Sequence, residues 1–412
     1  MDISNNQNQM QPRPLSVFLR ILCCIVFFAC SAALPVLTFY IGTEGIDPAI
    51  LLSLTFVTLA LCLVFALTLC KKPLFLSCAA VIALFLALLS PFFSALFAAL
   101  LCAAVAGAAL FAGAVRLQNF AVGLISATAY GIAFALTKDP LLAAYALLPL
   151  LAALTFGVCY KKKYSVIISV GAAAGALLAA YVLLIGADAL LAGMPLSVQG
   201  VTDYVKAFHA TVSAELAASL QLMSETPELA EQLTVMFGGE ITPELITEFS
   251  DSVSTAMVSM MPGVLIMLVW IFCFVAHRGF TALLVRDLDK KDYPTHLTAF
   301  EPSVPTAIFT ILCYAAMLLS SLFVQGELIT FISLNLLLSL LPMMSICGIL
   351  SIISNIKHAT VKWPLYLTYA LAIVFLGAAV IPMIAFFGSF AVITGAIARA
   401  LEKKFQDFKG GQ

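Results

Sequence analysis

The sequence predicts an all-α fold: a polytopic transmembrane helical bundle of about eleven to twelve spans, carrying a small extracytoplasmic helical cap. Three observations carry that reading. The 412 residues are 63% hydrophobic and only 10% charged, against about 25% charged for a soluble domain. The stretch from Pro73 to Val115 contains no Asp, Glu, Lys, Arg or His, which is enough for two spans of about 20 residues each. The apolar runs are continuous and rich in Leu and Ala rather than alternating, so the backbone groups of each span must be satisfied by helix rather than barrel pairing.

Residues 1–20 read as a polar tail, with Asn5, Asn6, Gln7, Asn8 and Gln9 in a row. The run Ile21–Ile41 is too long for a signal-peptide core and reads as a retained span. Residues 21–191 then form an N-terminal bundle with further spans at Ala49–Cys70, Pro73–Leu89, Phe92–Val115, Phe120–Leu136, Leu141–Tyr160 and Val166–Ile185. A C-terminal bundle over 257–405 has spans at Met257–Ala276, Ala307–Val324, Leu328–Ile353, Leu365–Ile381 and Met383–Ala398, before a tail at 406–412. The pairs divided at Ser90-Pro91 and Ile381-Pro382 read either as tight hairpins or as single kinked helices.

Charge sets the orientation. With twelve spans, 18 of the 20 basic residues fall on one side, leaving Lys138 and Lys206 on the other. That asymmetry places both termini in the cytoplasm of a multi-pass cell-membrane protein. Tyr160 and Tyr164 flank the Lys161-Lys162-Lys163 cluster as interfacial anchors. Trp270 lies deep in its span, where packing against another helix is its default role.

The segment 192–256 is polar and acidic, and the wider stretch from Asp188 to Ser254 holds ten carboxylates and one lysine, Lys206. Val201, Tyr204, Val205, Phe208, Val212, Leu216 and Leu220 recur at helical spacing, giving an amphipathic helix. Thr226-Pro227-Glu228-Leu229 and Thr242-Pro243-Glu244-Leu245 each read as a helix start, with Thr as N-cap and Pro at the first helical position. Gly238-Gly239 reads as a stop. Leu245, Phe249, Val253 and Met257 then lead on one face into the next span. The acidity argues against this segment lying on anionic lipid, and leaves a lid, a docking surface or a structural cap.

The net charge of −1 supplies no field for nucleic acid. The eleven cysteines lie in or beside apolar runs, which reads as buried apolar packing rather than a disulfide framework. The spans carry no Asp or Glu away from their ends, there is no phosphate-cradling Gly-rich loop, no His-Glu-x-x-His pair and no Gly-x-Ser-x-Gly elbow. No catalytic, cofactor or metal residue is therefore assigned, and the chain reads as a non-enzyme. The four histidines are dispersed at loops and span ends.

What polarity remains inside gives the substrate-binding candidates: Asn335 with Ser333 and Ser339 nearby, and the helix-breaking Pro342 and Pro382, with Gly388. For Asn335 a helix–helix hydrogen bond competes with a ligand role. Gly171 and Gly175 form a GxxxG pair that permits close helix approach. The inner loop His277–Pro305 reads as a charged connector or a partner-docking loop.

The layout of the second half combines Lys161-Lys162-Lys163, one span, a helical outer segment, a span opening near Met261-Pro262-Gly263 and closing on Arg278, and a charged loop ending in Glu301-Pro302-Ser303-Val304-Pro305. It closes with Ile381-Pro382, Gly388 and a basic tail. This resembles the YybS-like family of bacterial membrane proteins over most of the chain, although Gly388-Ser389-Phe390-Ala391 lacks the family's Asp. The resemblance implies a distant relationship to substrate-binding components of energy-coupling-factor transporters. It implies a small-molecule binding or transport subunit, embedded in a lipid bilayer, that recruits a membrane or ATPase partner subunit. A non-transporting scaffold of the cell envelope is the alternative.

Overall fold

A computed structural model describes residues 119–191, 193–195, 197–225, 230, 233–235, 237, 242–284, 294–323, 327–358 and 380–410, together with Ile21, Ile25 and Phe28. The expected spans Ala49–Cys70, Pro73–Leu89 and Phe92–Val115 lie outside these residues, as do most of Ile21–Ile41 and Leu365–Ile381. So do Thr226–Leu229 and Gly238-Gly239.

Among the described residues every regular element is helical. In chain order these are α1 (Asn119–Thr137), α2 (Pro140–Ala144), a 3-10 turn (Tyr145–Leu147), α3 (Leu148–Lys161), α4 (Val166–Leu191) and α5 (Val198–Glu225). Then follow α6 (Pro243–Leu284), α7 (Thr295–Thr298), α8 (Val304–Phe323), α9 (Glu327–His358) and α10 (Val380–Gly410). Five apolar helical stretches are long enough to cross a membrane: Pro140–Lys161, Val166–Leu191, Pro243–Arg278, Leu328–Ser354 and Val380–Gln406. Gly123–Thr137 and Val304–Ser320 are shorter apolar helices. Large apolar side chains such as Leu183, Leu191, Leu328 and Phe387 stand exposed on them, which is how a helix faces lipid rather than water. The chain is a multi-pass helical membrane protein.

Chain contacts divide the protein into two units, 1–185 with 268–301, and 186–267 with 302–412. In the first, Asp139 caps α2 by accepting from the Leu141 and Leu142 amides at 2.8 and 3.1 Å, with Pro140 at the first helical position. Pro149 sits at the start of α3. Its missing N–H coincides with the 3-10 turn that tightens the backbone there. The expected span Leu141–Tyr160 is therefore one apolar stretch with a break in its first half. Ala129, Ala133, Ala143 and Ala146 make a small-residue core where α1 meets α2 and the turn, with Phe28 and Tyr130 against it.

In the second unit the cap is helical as expected. Ser197 accepts from the Gly200 amide at 3.1 Å at the start of α5. Thr242 accepts from the Leu245 amide at 3.2 Å at the start of α6. α5 and α6 run antiparallel. Ser213 donates to the Asp251 carboxylate at 2.7 Å, His209 and Thr255 meet at 3.0 Å, and Ser254 donates to the His209 carbonyl at 3.1 Å. Leu220, Leu233 and Ile246 form the cap's apolar core, with Phe237 set edge-on to Phe249 at 4.9 Å.

α6 runs unbroken from Pro243 and carries Pro262 in its interior, so the face from Leu245 to Met257 continues directly into the apolar run. One expectation needs correction: Pro342 and Gly388 do not break the late spans. α9 continues through Pro342, and Gly388 lies within α10 with Pro382 in its first turn. The reason at Gly388 is contact rather than flexibility. A Cβ there would lie 2.6 Å from the Gly348 nitrogen and closer still to the Met344 carbonyl oxygen, and a Cβ on Gly348 would fall on the Ile384 carbonyl. Each glycine thus seats the other helix's backbone, bringing Cα–H groups onto carbonyl oxygens. Gly171 and Gly175, the pair the sequence favours, have nothing within 4 Å of a would-be Cβ among the described residues.

Gly388→Ala should therefore cost about 1–3 kcal/mol, the usual penalty of overpacking, in reversible unfolding of the protein in lipid nanodiscs. Gly171→Ala should be neutral or stabilise by up to about 1 kcal/mol, since alanine is the better helix former.

Candidate functional site

Two polar constellations stand out, one in each unit. The first gathers at the lysine-rich end of α3. This helix ends in a Schellman-type cap, in which the Lys163 amide donates to the Tyr160 carbonyl and the Tyr164 amide to the Cys159 carbonyl, each at 3.0 Å. The left-handed position belongs to Lys163, at φ 55°, where glycine is the usual occupant. At the end of α4 the same cap uses Gly193, at φ 77°. A lysine in this conformation is strained, but it sets an ammonium group at a helix C-terminus, where the dipole favours it.

Around that end, α3, the last turns of α6 and α7 converge. His277 is completely buried, with the Phe156 ring edge-on at 5.8 Å and the Thr281 hydroxyl 3.5 Å from its Nδ1. Arg278 lies over the Phe274 ring at 5.1 Å, and Phe274 stacks on Trp270 at 5.4 Å. Phe300 closes edge-on against both rings. Trp270 thus packs within the bundle, its default role.

His296 of α7 faces the Tyr160 ring at 6.2 Å. Its Nε2 is shielded from solvent and makes no hydrogen bond among the described residues. Burial, and then the charge of nearby Lys163, hold its pKa below the ordinary histidine range. Lys161, Lys162 and Lys163 stay exposed, with the Lys162 ammonium 5.9 Å from the Tyr164 ring.

The second constellation is built on Asn335. In α6, Pro262 has no N–H to give the Val258 carbonyl, and its ring crowds the preceding turn. A side chain from α9 bonds the donor and acceptor of the neighbouring position. The Gly263 amide donates to Asn335 Oδ1 at 2.6 Å, and Asn335 Nδ2 donates to the Ser259 carbonyl at 2.8 Å. These are the donor and acceptor that an unkinked helix would pair with each other. The second Nδ2 hydrogen goes to the Phe331 carbonyl at 2.9 Å, within α9. Both amide donors of Asn335 are thus engaged with backbone. Gly263 permits the approach, since a Cβ there would lie 2.8 Å from the Asn335 backbone.

The other sequence candidates are placed as follows. Ser333 is buried on α9 and Ser339 donates to the Asn335 carbonyl at 2.7 Å. Pro342 is interior to α9. The Pro382 carbonyl accepts from the Tyr314 hydroxyl at 2.7 Å. The structure brings Asn335 to Pro262 and Gly263. Sequence reasoning did not pair these residues, although an interior proline in a span always signals a backbone carbonyl in need of a partner. It also did not group Tyr160, Lys163 and His296. The aromatic next to the triple lysine was visible, but nothing in the sequence connected it with a histidine beyond the next loop.

No family model matches this chain, and no curated protein or solved structure does either.

Asn335→Leu should destabilise the protein by about 1 kcal/mol, near the upper part of the range for interhelical hydrogen bonds in membranes. In a Pro262→Ala background, where α6 can make its own bonds, the same substitution should cost less than half as much. A double-mutant cycle by unfolding in nanodiscs measures that coupling.

Proposed function

We propose that this chain is a small-molecule binding or transport subunit of the cell membrane, without an ATPase of its own, and that its ligand is an anion held at the lysine-rich end of the first unit. One observation carries the proposal: the Nε2 of His296, without a partner among the described residues, set beside Lys163 and Tyr160. A buried donor or acceptor left without a partner costs about 1–3 kcal/mol. A bound carboxylate or phosphate oxygen would supply that partner and meet the lysine ammonium groups. Basic pockets at helix ends of membrane bundles are suited to such groups. The one-sided distribution of basic residues supports a cytoplasmic position for this end and for both termini. The resemblance to the YybS-like family supports a subunit that recruits a membrane or ATPase partner.

A specific observation also favours a second reading, a non-transporting scaffold of the cell envelope. In the second unit, polar side chains of the spans are spent on backbone carbonyls: Asn335 on Ser259 and Phe331, Tyr314 on Pro382, Ser389 on Ala385. The Asn335–Ser259 and Tyr314–Pro382 bonds tie helices together and the other two stay within their own helix, which leaves little to select a substrate.

Purification from native membranes followed by mass spectrometry of bound small molecules separates the two. The binding reading expects a retained anion, lost in His296→Ala; repeated recovery without one would count against it. Retention should strengthen as pH falls through and below the ordinary histidine range. Free His296 is neutral at pH 7 because its pKa is lowered, and an anion beside it favours the imidazolium, so binding takes up a proton. Lys163→Gly should stabilise the fold by about 1 kcal/mol, by releasing the left-handed strain, while weakening retention.

A further inference from the structure

The cap helix α5 is amphipathic along its whole length, but only part of its apolar stripe is covered. Leu216 and Leu220 pack into the cap core. Toward the helix start, Val201 (59%), Tyr204 (39%), Val205 (43%) and Phe208 (37%) are exposed. They fall at positions i, i+3, i+4 and i+7, on one face. Gln199 and Asp203 occupy the opposite face, where the Gln199 amide donates to the Asp203 carboxylate at 3.0 Å.

The antiparallel register with α6 fixes the depth of this face. Ser213 meets Asp251 and His209 meets Thr255, so each step toward the start of α5 is matched by a step forward along α6. Continued by two turns, the register sets Val205 level with Ser259 and Val201 level with Gly263. Those α6 residues lie inside the apolar run that begins at Met257, whose own Met257 and Met261 are exposed as lipid-facing residues are.

Charge agrees. From Val198 to Phe208 the only formal charges are Asp203 and Lys206, which cancel, while the carboxylates of α5 beyond this point begin at Glu215. The acidity of the segment as a whole therefore does not oppose contact between this part and lipid.

We propose that the first three turns of α5 lie in the headgroup–acyl boundary of the bilayer, with Val201, Tyr204, Val205 and Phe208 against lipid. The cap is then anchored to the membrane along one edge rather than standing clear in water. The occupant is lipid because the face is level with a span, its centre is neutral, and Tyr204 is the amphipathic kind of residue that settles at such a boundary.

The test uses the full-length protein in phosphatidylcholine–phosphatidylglycerol vesicles. A tryptophan added by Val205→Trp should lose most of its emission to acyl-brominated lipid and little to aqueous iodide. One added by Ala218→Trp, on the exposed part of α5 beyond the anchor, should show the reverse. Quenching of the Val205→Trp signal by iodide alone overturns the proposal in favour of a solvated face. Shielding from both quenchers overturns it in favour of a second copy or a protein partner. The unmodified protein gives an independent reading. A carbene carried on a phospholipid acyl chain should label the 198–208 peptide, and absence of label there, with labelling of the 257–267 segment, also overturns the proposal.

Discussion

A helix that crosses a bilayer must find a partner for every backbone amide and carbonyl within the protein, because hydrocarbon supplies none. Much of what is distinctive here follows from how that constraint is met where the chain itself breaks the ladder. Pro262 removes one donor from α6 and crowds the turn before it. Asn335 serves the neighbouring position, offering its carbonyl oxygen to Gly263 and its amide nitrogen to Ser259. A single side chain thus ties two helices together at the place where one of them is weakest. The lack of a side chain on Gly263 is what lets them come close enough.

The same logic recurs with other chemistry. Gly348 and Gly388 let α9 and α10 meet backbone to backbone. Tyr314 reaches the Pro382 carbonyl and Ser345 the Ile381 carbonyl at 3.4 Å. At the ends of helices, where four carbonyls always lack partners, Lys163 accepts a left-handed backbone so that the cap can close. The cost of that strain falls at a position where a positive charge is useful. In the cap the partners change to Ser213 with Asp251 and His209 with Thr255, because water is near and charged groups are tolerated.

The helical membrane character was legible from composition alone, since apolar runs of such length have no other stable solution. Thr242 and Pro243 marked a real helix start, and the Pro305 region another, because capping chemistry is local. What the sequence hid was pairwise. Pro342 and Gly388 look alike on paper as breaks, yet the helices pass through them, since neighbouring helices can satisfy or exploit the backbone there. Gly171 and Gly175 had the spacing for close packing but no close neighbour among the described residues, while Gly348 and Gly388 lie on different helices and share no local signature. Asn335 stood out as an amide in an apolar run, but its partner lies 72 residues away. His296 was one of four dispersed histidines until the fold placed it beside Tyr160.

The central claim is that the amide of Asn335 holds the Gly263 amide and the Ser259 carbonyl beside Pro262. Hydrogen exchange of the Gly263 amide, followed by NMR in lipid nanodiscs, addresses it directly. The account predicts strong protection in the native protein and a large loss of protection in Asn335→Leu, confined to the Ser259–Gly263 turn. Equal protection of Gly263 in both proteins would contradict it.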